Sequence, residues 1–348
     1  MDFIDPRRRI EHDADKAIRQ LLKPLFALFE ADRAVTEVNV NGPEHVFVTR
    51  NGRRESIADL RLEDQVLDGA LVAVAHAMGQ ECEAGKLSSI VNGKLPGFRF
   101  AGVLYPIAAC GTSVSIRRHS PRVRTMEDYV TDGAFVVSPA GLLVSRAPVV
   151  TDEQVNDYLI RMVREGRTML VSGGTDTGKT TFLNMLCRYI PEMERVGSIE
   201  DTREVTLLVK NWLPLEYSPD NGVTATDCVK AMLRFSPDRI VLGEMRDEVA
   251  AAWLEAGNTG HDGNMATVHA SSAYRALERV ELLVMRAGLG WPIEAIRHTV
   301  ATTVDVVIQL KKTHSGDRVI AEIAEVDGFR DGQYVLKTIF SQPDLVGR

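Results

Sequence analysis

The chain has little cysteine, no long apolar run and no excess of positive charge. Its four cysteines, Cys82, Cys110, Cys187 and Cys228, are scattered without a C-x-x-C pair. That leaves no basis for a disulfide framework or a zinc site, and points to the reduced thiols of a cytoplasmic protein. No stretch approaches the roughly 18 apolar residues of a membrane span. The early arginines, Arg7 to Arg9, lead into Ile10 and Glu11-His12-Asp13 rather than an apolar signal core. The expectation is a soluble protein that can still dock peripherally on a membrane complex. With a net charge of −7, a general affinity for nucleic acid is not indicated, and no direct nucleic-acid binding is expected. No internal repeat or low-complexity segment is present.

What the sequence does have is an ordinary globular content, 45% hydrophobic over 348 residues. That length suggests two domains. One stretch organises the rest: Gly173-Gly174-Thr175-Asp176-Thr177-Gly178-Lys179-Thr180-Thr181. It fits the phosphate-loop pattern G-x-x-x-x-G-K-[ST]. Gly173 and Gly178 allow backbone angles that a Cβ would forbid, so successive amides point at phosphate oxygens. Lys179 supplies a compact charge for the β- and γ-phosphates, and the Thr180 hydroxyl suits Mg²⁺. Thr168 to Ser172 reads as a buried strand entering the loop. Phe182, Leu183, Met185, Leu186, Tyr189 and Ile190 form a helical face leaving it, stopped by Pro191. The helix dipole then aids anion binding.

Before the loop, Ile18 to Phe29 has helical spacing interrupted by Pro24, so a kink or two short helices are expected. Val38 and Val40 alternate with polar residues, His45 to Arg50 continues as a strand, and Asn51-Gly52 signals a hairpin. A helix over 62–79 and strands near 86–92, 98–105 and 112–118 follow. Residues 1–120 thus form a smaller α+β N-terminal domain. Residues 121–150, with Pro121, Pro139 and Pro148, read as a linker holding one short helix near Met126 to Val130. A second domain, 151–348, opens on a capping box at Thr151-x-x-Gln154. There, strands near 168–172, 195–200, 239–243 and 264–269 alternate with helices at 152–165, 180–190, 226–235 and 247–257. That alternation is the mark of a parallel sheet covered on both faces. Pro292 opens another helix, and strands at 305–312, 318–327 and 333–340 form a C-terminal meander.

Hydrolysis needs a carboxylate near the γ-phosphate and a hold on Mg²⁺. Two acids stand at strand exits. Glu200 ends Ser198-Ile199-Glu200, at the ligand edge of an open α/β sheet. Glu244 follows Arg239-Ile240-Val241-Leu242-Gly243, with Gly243 where many NTPases place the Mg²⁺-holding aspartate. Glu244 is suited either to polarise water or to hold a metal-bound water. A glycine-rich run, Gly257 to Gly263, leads to a strand ending at His269, and suggests a backbone that approaches something closely. For His261 and His269 alone, a structural role is the more frequent one.

Together, Gly173 to Thr181, the acidic box Glu200 to Arg203, Gly243-Glu244-Met245-Arg246-Asp247, and Thr259-Gly260-His261-x-Gly263 with Thr267 and His269-Ala270 resemble the type II and type IV secretion ATPase superfamily. The run Gly97-Phe98-Arg99-Phe100 to Ser115-Ile116-Arg117-Arg118 is most similar to the conjugative-transfer and tight-adherence-pilus branch. The resemblance implies an α/β fold, a RecA-like P-loop domain with C-terminal antiparallel strands. It implies ATP and Mg²⁺ as cofactors and a hexameric ring working with inner-membrane secretion or pilus proteins. It also implies site roles: Glu200 and Glu244 around Mg²⁺ and the attacking water, His269 sensing the γ-phosphate, and Arg117 or Arg118, with Arg99 as a further candidate, reaching the phosphates. Two other readings stand beside it. One is an ATP-binding switch or scaffold with little turnover, suggested by the missing aspartate. The other is a motor acting directly on DNA.

Overall fold

The computed structural model describes residues 15–50, 53–119, 124–131, 152–218, 222–246, 248–313 and 316–342. The Asn51-Gly52 turn, most of the expected linker, the Thr151 cap and Asp247 lie outside the described residues. Contacts divide the chain into two units, Met1–Pro121 and Arg122–Arg348.

In the first unit, residues 15–21 form α1 and Lys23–Ala31 form α2. Pro24 falls in the first turn of α2, where its missing N–H costs nothing, so the helix breaks at Leu22. Strands β1 (Val35–Asn41), β2 (Val46–Arg50), β3 (Arg53–Ile57), β4 (Ile90–Leu95), β5 (Phe98–Val103) and β6 (Ser113–Arg118) make an antiparallel sheet in the order β3-β2-β1-β6-β5-β4. Helix α3 (Asp64–Ala77) ends before Gly79, which takes a left-handed conformation. The core joins Leu22, Phe26 and Phe29 to Val38, Val40, Phe100 and Ile116 from one face of the sheet.

The second unit is built on β7 (Met169–Gly173), β8 (Arg195–Glu200), β9 (Asn211–Glu216), β10 (Arg239–Leu242), β11 (Met265–Val268), β12 (Val306–Lys312), β13 (Arg318–Arg330) and β14 (Gln333–Ser341). The sheet order is β14-β13-β12-β7-β11-β10-β8-β9. From β12 to β9 every neighbour is parallel, and β12, β13 and β14 close the other end as an antiparallel meander. The central strands are buried end to end, as a sheet covered on both sides requires. One face packs on α4 (Met126–Thr131), α5 (Asp152–Arg164) and α6 (Lys179–Cys187). The other packs on α7 (Ala225–Leu233), α8 (Val249–Asn258), α9 (Ala273–Arg286) and α10 (Ile293–Thr303).

Two elements were not expected from the sequence. β9 contains Pro214, which argues against an interior strand, yet β9 is the edge strand, where a missing donor is tolerated. α9 buries Ala273, Ala276, Leu277, Val280, Leu283 and Val284 at helical spacing, capped by Ser272. Within the expected linker, α4 proves to be part of a core: Met126 and Tyr129 are buried in the second unit, and Tyr129 meets Phe182 edge-to-face at 5.1 Å.

Candidate nucleotide site

The parallel strands β7, β8, β10 and β11 all end at one edge of the sheet, and the expected catalytic segments leave from there. The phosphate loop joins β7 to α6. Gly178 sits at the helix N-cap with φ +85°, in the left-handed region that an L side chain disfavours. Gly173 serves differently. It ends a strand, and a Cβ there would lie 2.5 Å from Thr177 Oγ1. Its smallness matters through close approach, not through unusual angles. Thr177 Oγ1 donates to Gly174 O at 2.9 Å and tightens the turn.

Asp176 is the loop's non-glycine residue with positive φ, at +61°. Its carboxylate accepts from Lys312 Nζ on β12 at 2.9 Å and from Arg318 Nη2 on β13 at 2.6 Å. Arg318 Nε also donates to the Asp176 carbonyl at 3.0 Å. Burial would push the Asp176 carboxyl up, but the two cations outweigh it and hold the acid below its usual range. Nothing in the loop sequence alone signals these partners. They come from the C-terminal meander, and only pairing of β12 with β7 brings them near.

Lys179, the first residue of α6, is buried and donates to Gly174 O at 2.9 Å. Its Nζ lies 3.3 Å from His269 Nδ1, just past the end of β11. His269 Nε2 in turn lies 3.3 Å from Glu244 Oε1. Glu244 Oε2 accepts from Arg246 Nη2 at 2.6 Å, and Arg246 Nη1 is 3.7 Å from Asp201. A continuous polar chain therefore runs from loop to His269 to Glu244. Burial first, then the Lys179 ammonium, lower the His269 pKa, while Glu244 opposes them. The Glu244 hydrogen bond raises the Arg246 pKa, so Arg246 remains a cation. The sequence alone gives Arg246 no such role.

Glu200, at the end of β8, is 4% exposed, and its Oε1 accepts from the amides of Glu204 and Val205, each at 2.9 Å. Thr267 Oγ1 donates to the Gly243 carbonyl at 2.6 Å, and Met245 N donates to Thr267 O at 2.7 Å, so the segment after β10 is stitched to β11. Gln309, on β12, is buried and donates to Ala270 O, next to His269, at 3.2 Å. Thr175, Thr180 and Thr181 fall at the loop and the first turn of α6, as the pattern requires.

Other expected residues are elsewhere. Residues 259–263 precede β11, at the opposite edge of the sheet from the phosphate loop. There a Cβ on Gly263, at φ +76°, would lie 2.8 Å from Arg239 Nη1. What that glycine-rich backbone closely approaches is therefore a buried guanidinium. Arg239 also pairs with Glu194 and donates to Val163 O at 2.5 Å. His261 Nδ1 is within 3.3 Å of Ala256 O, a local structural contact. Arg117 and Arg118 end β6 of the first unit. Arg117 is exposed. Arg118 donates to the carbonyls of Phe29 and Arg33 and stacks 5.0 Å over the Phe29 ring.

Among the described residues, no cluster of His, Cys, Asp and Glu could hold a metal by itself, and no helix is long and apolar enough to cross a membrane.

The model for the type II/IV secretion system protein family matches residues 136–324. The chain is 31% identical over 313 residues to the probable conjugal transfer protein TrbB of Sinorhizobium fredii, covering 88% of each chain. It is 33% identical over 341 residues to the type IV secretion system protein VirB11 of Brucella suis biovar 1, covering 92% of this chain and 93% of that one. Among solved structures, the Yersinia pseudotuberculosis ATPase DotB is similar in fold, with a TM-score of 0.59 at 15% identity, over 87% of this chain and 78% of that one. By matched length and identity, and with the motifs placed as described, this chain belongs to the type II/IV secretion system protein family.

Proposed function

We propose that this protein is a Mg²⁺-dependent ATPase that works as a hexameric ring and drives a type IV secretion or conjugation machine. The observation that carries the reading is the run of polar contacts Lys179, His269, Glu244, each 3.3 Å from the next, in which three distant segments meet beside the phosphate loop. The loop amides and the α6 N-terminus suit the phosphates, with Lys179 as point charge and His269 placed to sense the γ-phosphate. When bound, Mg²⁺ neutralises charge that develops on the phosphates. Hydroxyl and carboxylate oxygens are the donors a hard cation takes, and residues at this strand edge would supply them. Thr180, Glu200 and Glu244 are its candidate neighbours. Of the two arginines, Arg118 is committed to Phe29 and Arg33, which leaves Arg117 as the candidate for a phosphate contact.

The relatives named for conjugal transfer and type IV secretion support the machine. Such a machine component would sit on the cytoplasmic side of the inner membrane, docked there through protein contacts. Purified protein with Mg²⁺ and ATP should turn over, and Lys179→Ala should reduce the rate by at least ~10²-fold. Turnover that survives Lys179→Ala would refute the site. Native mass spectrometry with ATP should give six times the chain mass of 38.4 kDa, and a monomer under those conditions would refute the ring.

A further inference from the structure

We infer that Gln309 is a positioning residue for the nucleotide reaction: its carboxamide ties the His269 segment to the phosphate loop and sets the contact between His269 and Lys179. That role rests on the nucleotide reading above and brings a residue of the C-terminal meander into it.

Gln309 lies on β12, and β7 runs between β12 and β11. In register, Gln309 is opposite Ser172, and Leu310 is opposite Gly173, the first glycine of the phosphate loop. Val268 is opposite Ser172 on the other side, so His269 follows at the level of Gly173. Gln309 Nε2 donates to Ala270 O at 3.2 Å and to Leu310 O at 3.1 Å. The Leu310 carbonyl is itself against the loop, since a Cβ on Gly173 would lie 2.9 Å from it. One amide group therefore joins a carbonyl beside the loop to the carbonyl of the residue that follows His269.

The chemistry suits that task. A carboxamide nitrogen carries two hydrogens and here meets two carbonyls. Turned around, the amide would set its oxygen against both carbonyl oxygens, so its partners fix its orientation. Gln309 is 1% exposed, and its Oε1 has no hydrogen-bond partner among the described residues. A buried acceptor left unpaired costs stability. An apolar residue at this position would avoid that cost, so packing alone does not explain a glutamine.

The His269 segment is held at a second point. Glu322 on β13 is the register partner of Gln309, and its Oε2 accepts from the Ala273 amide, at the start of α9, at 3.3 Å. Residues 269–272 thus run between two anchors on the meander. The imidazole that faces Lys179 stands next to the Gln309 anchor.

Gln309→Met keeps the length of the side chain but has no N–H. In the full chain with Mg²⁺ and ATP it should lower kcat by about 10-fold or more, while a fluorescent ATP analogue still binds within about twofold of wild type. Gln309→Asn, with a stem one methylene shorter, should show the same split and serves if the Met variant melts below the assay temperature. A double-mutant cycle separates positioning from a general loss of structure. In a His269→Ala background, Gln309→Met should change kcat by less than about twofold, because the group it places is gone. Equal losses of kcat in the two backgrounds overturn the inference, and so does a folded Gln309 variant with wild-type kcat. A wild type that binds no ATP analogue removes the nucleotide reading itself. A wild type that binds and turns over, with indifferent Gln309 variants, removes only the role of Gln309.

Discussion

Lys179 Nζ lies 3.3 Å from His269 Nδ1, so the loop cation faces an imidazole across the sheet edge. Burial and that ammonium both disfavour a second positive charge. His269 should therefore be neutral at pH 7, with a lone pair toward Lys179.

The sign of its pH dependence follows. A lowered folded-state pKa stabilises the neutral form, so its contribution is present above the usual value of 6.5 and is lost as pH falls below it. In a histidine NMR titration, His269 should have a midpoint below 6.5, and Lys179→Met should move it upward. A wild-type midpoint at or above 6.5 would contradict the arrangement. Nucleotide triphosphate should raise the midpoint, since an anion favours imidazolium.

Asp176 is fixed by Lys312 and Arg318 together. Its half-exposed position screens both pairs, so Asp176→Asn, which tolerates the positive φ, should cost about 1 kcal/mol in urea unfolding. The larger consequence should be in nucleotide binding, because the loop loses its tie to β12 and β13. Affinity equal to wild type would show that the tie does not shape the loop.

Gly263 lies over Arg239 at the far edge of the sheet. Gly263→Ala adds both a close contact and strain at positive φ, which together should cost on the order of 1–3 kcal/mol. Any fluorescent-nucleotide binding measured below the new melting temperature should stay within about twofold of wild type. A large loss of binding in folded protein would place this segment at the nucleotide after all.

Tyr129 is buried against Phe182 on the helix that leaves the loop. Tyr129→Ala should destabilise the second unit by about 3 kcal/mol. A change within 0.5 kcal/mol, the usual range for a surface substitution, would return residues 126–131 to the status of a simple tether.

Much of this was readable from sequence, and the exceptions have physical reasons. Apolar runs ending in acids disclosed β8 and β10, because a central parallel strand is buried on both faces. β9 was hidden by Pro214 and by being half-buried, both privileges of an edge. α9 was legible: Leu277, Val280, Leu283 and Val284 keep helical spacing behind the Ser272 cap. In the site, local motifs revealed Lys179, Glu244 and His269. Lys312 and Arg318 were not legible, since their only signal is a sheet pairing that links positions far apart. Glu200 over Gly243 is intermediate. Each residue marks a strand end in the sequence, but the space that the glycine leaves for Glu200 depends on the pairing of β8 with β10.

The salt bridges of Asp176 reach partners 136 and 142 residues downstream. During synthesis, the phosphate loop emerges from the ribosome long before the strands that anchor it. A nascent chain should therefore be unable to hold nucleotide in its final manner until β12 and β13 have been translated.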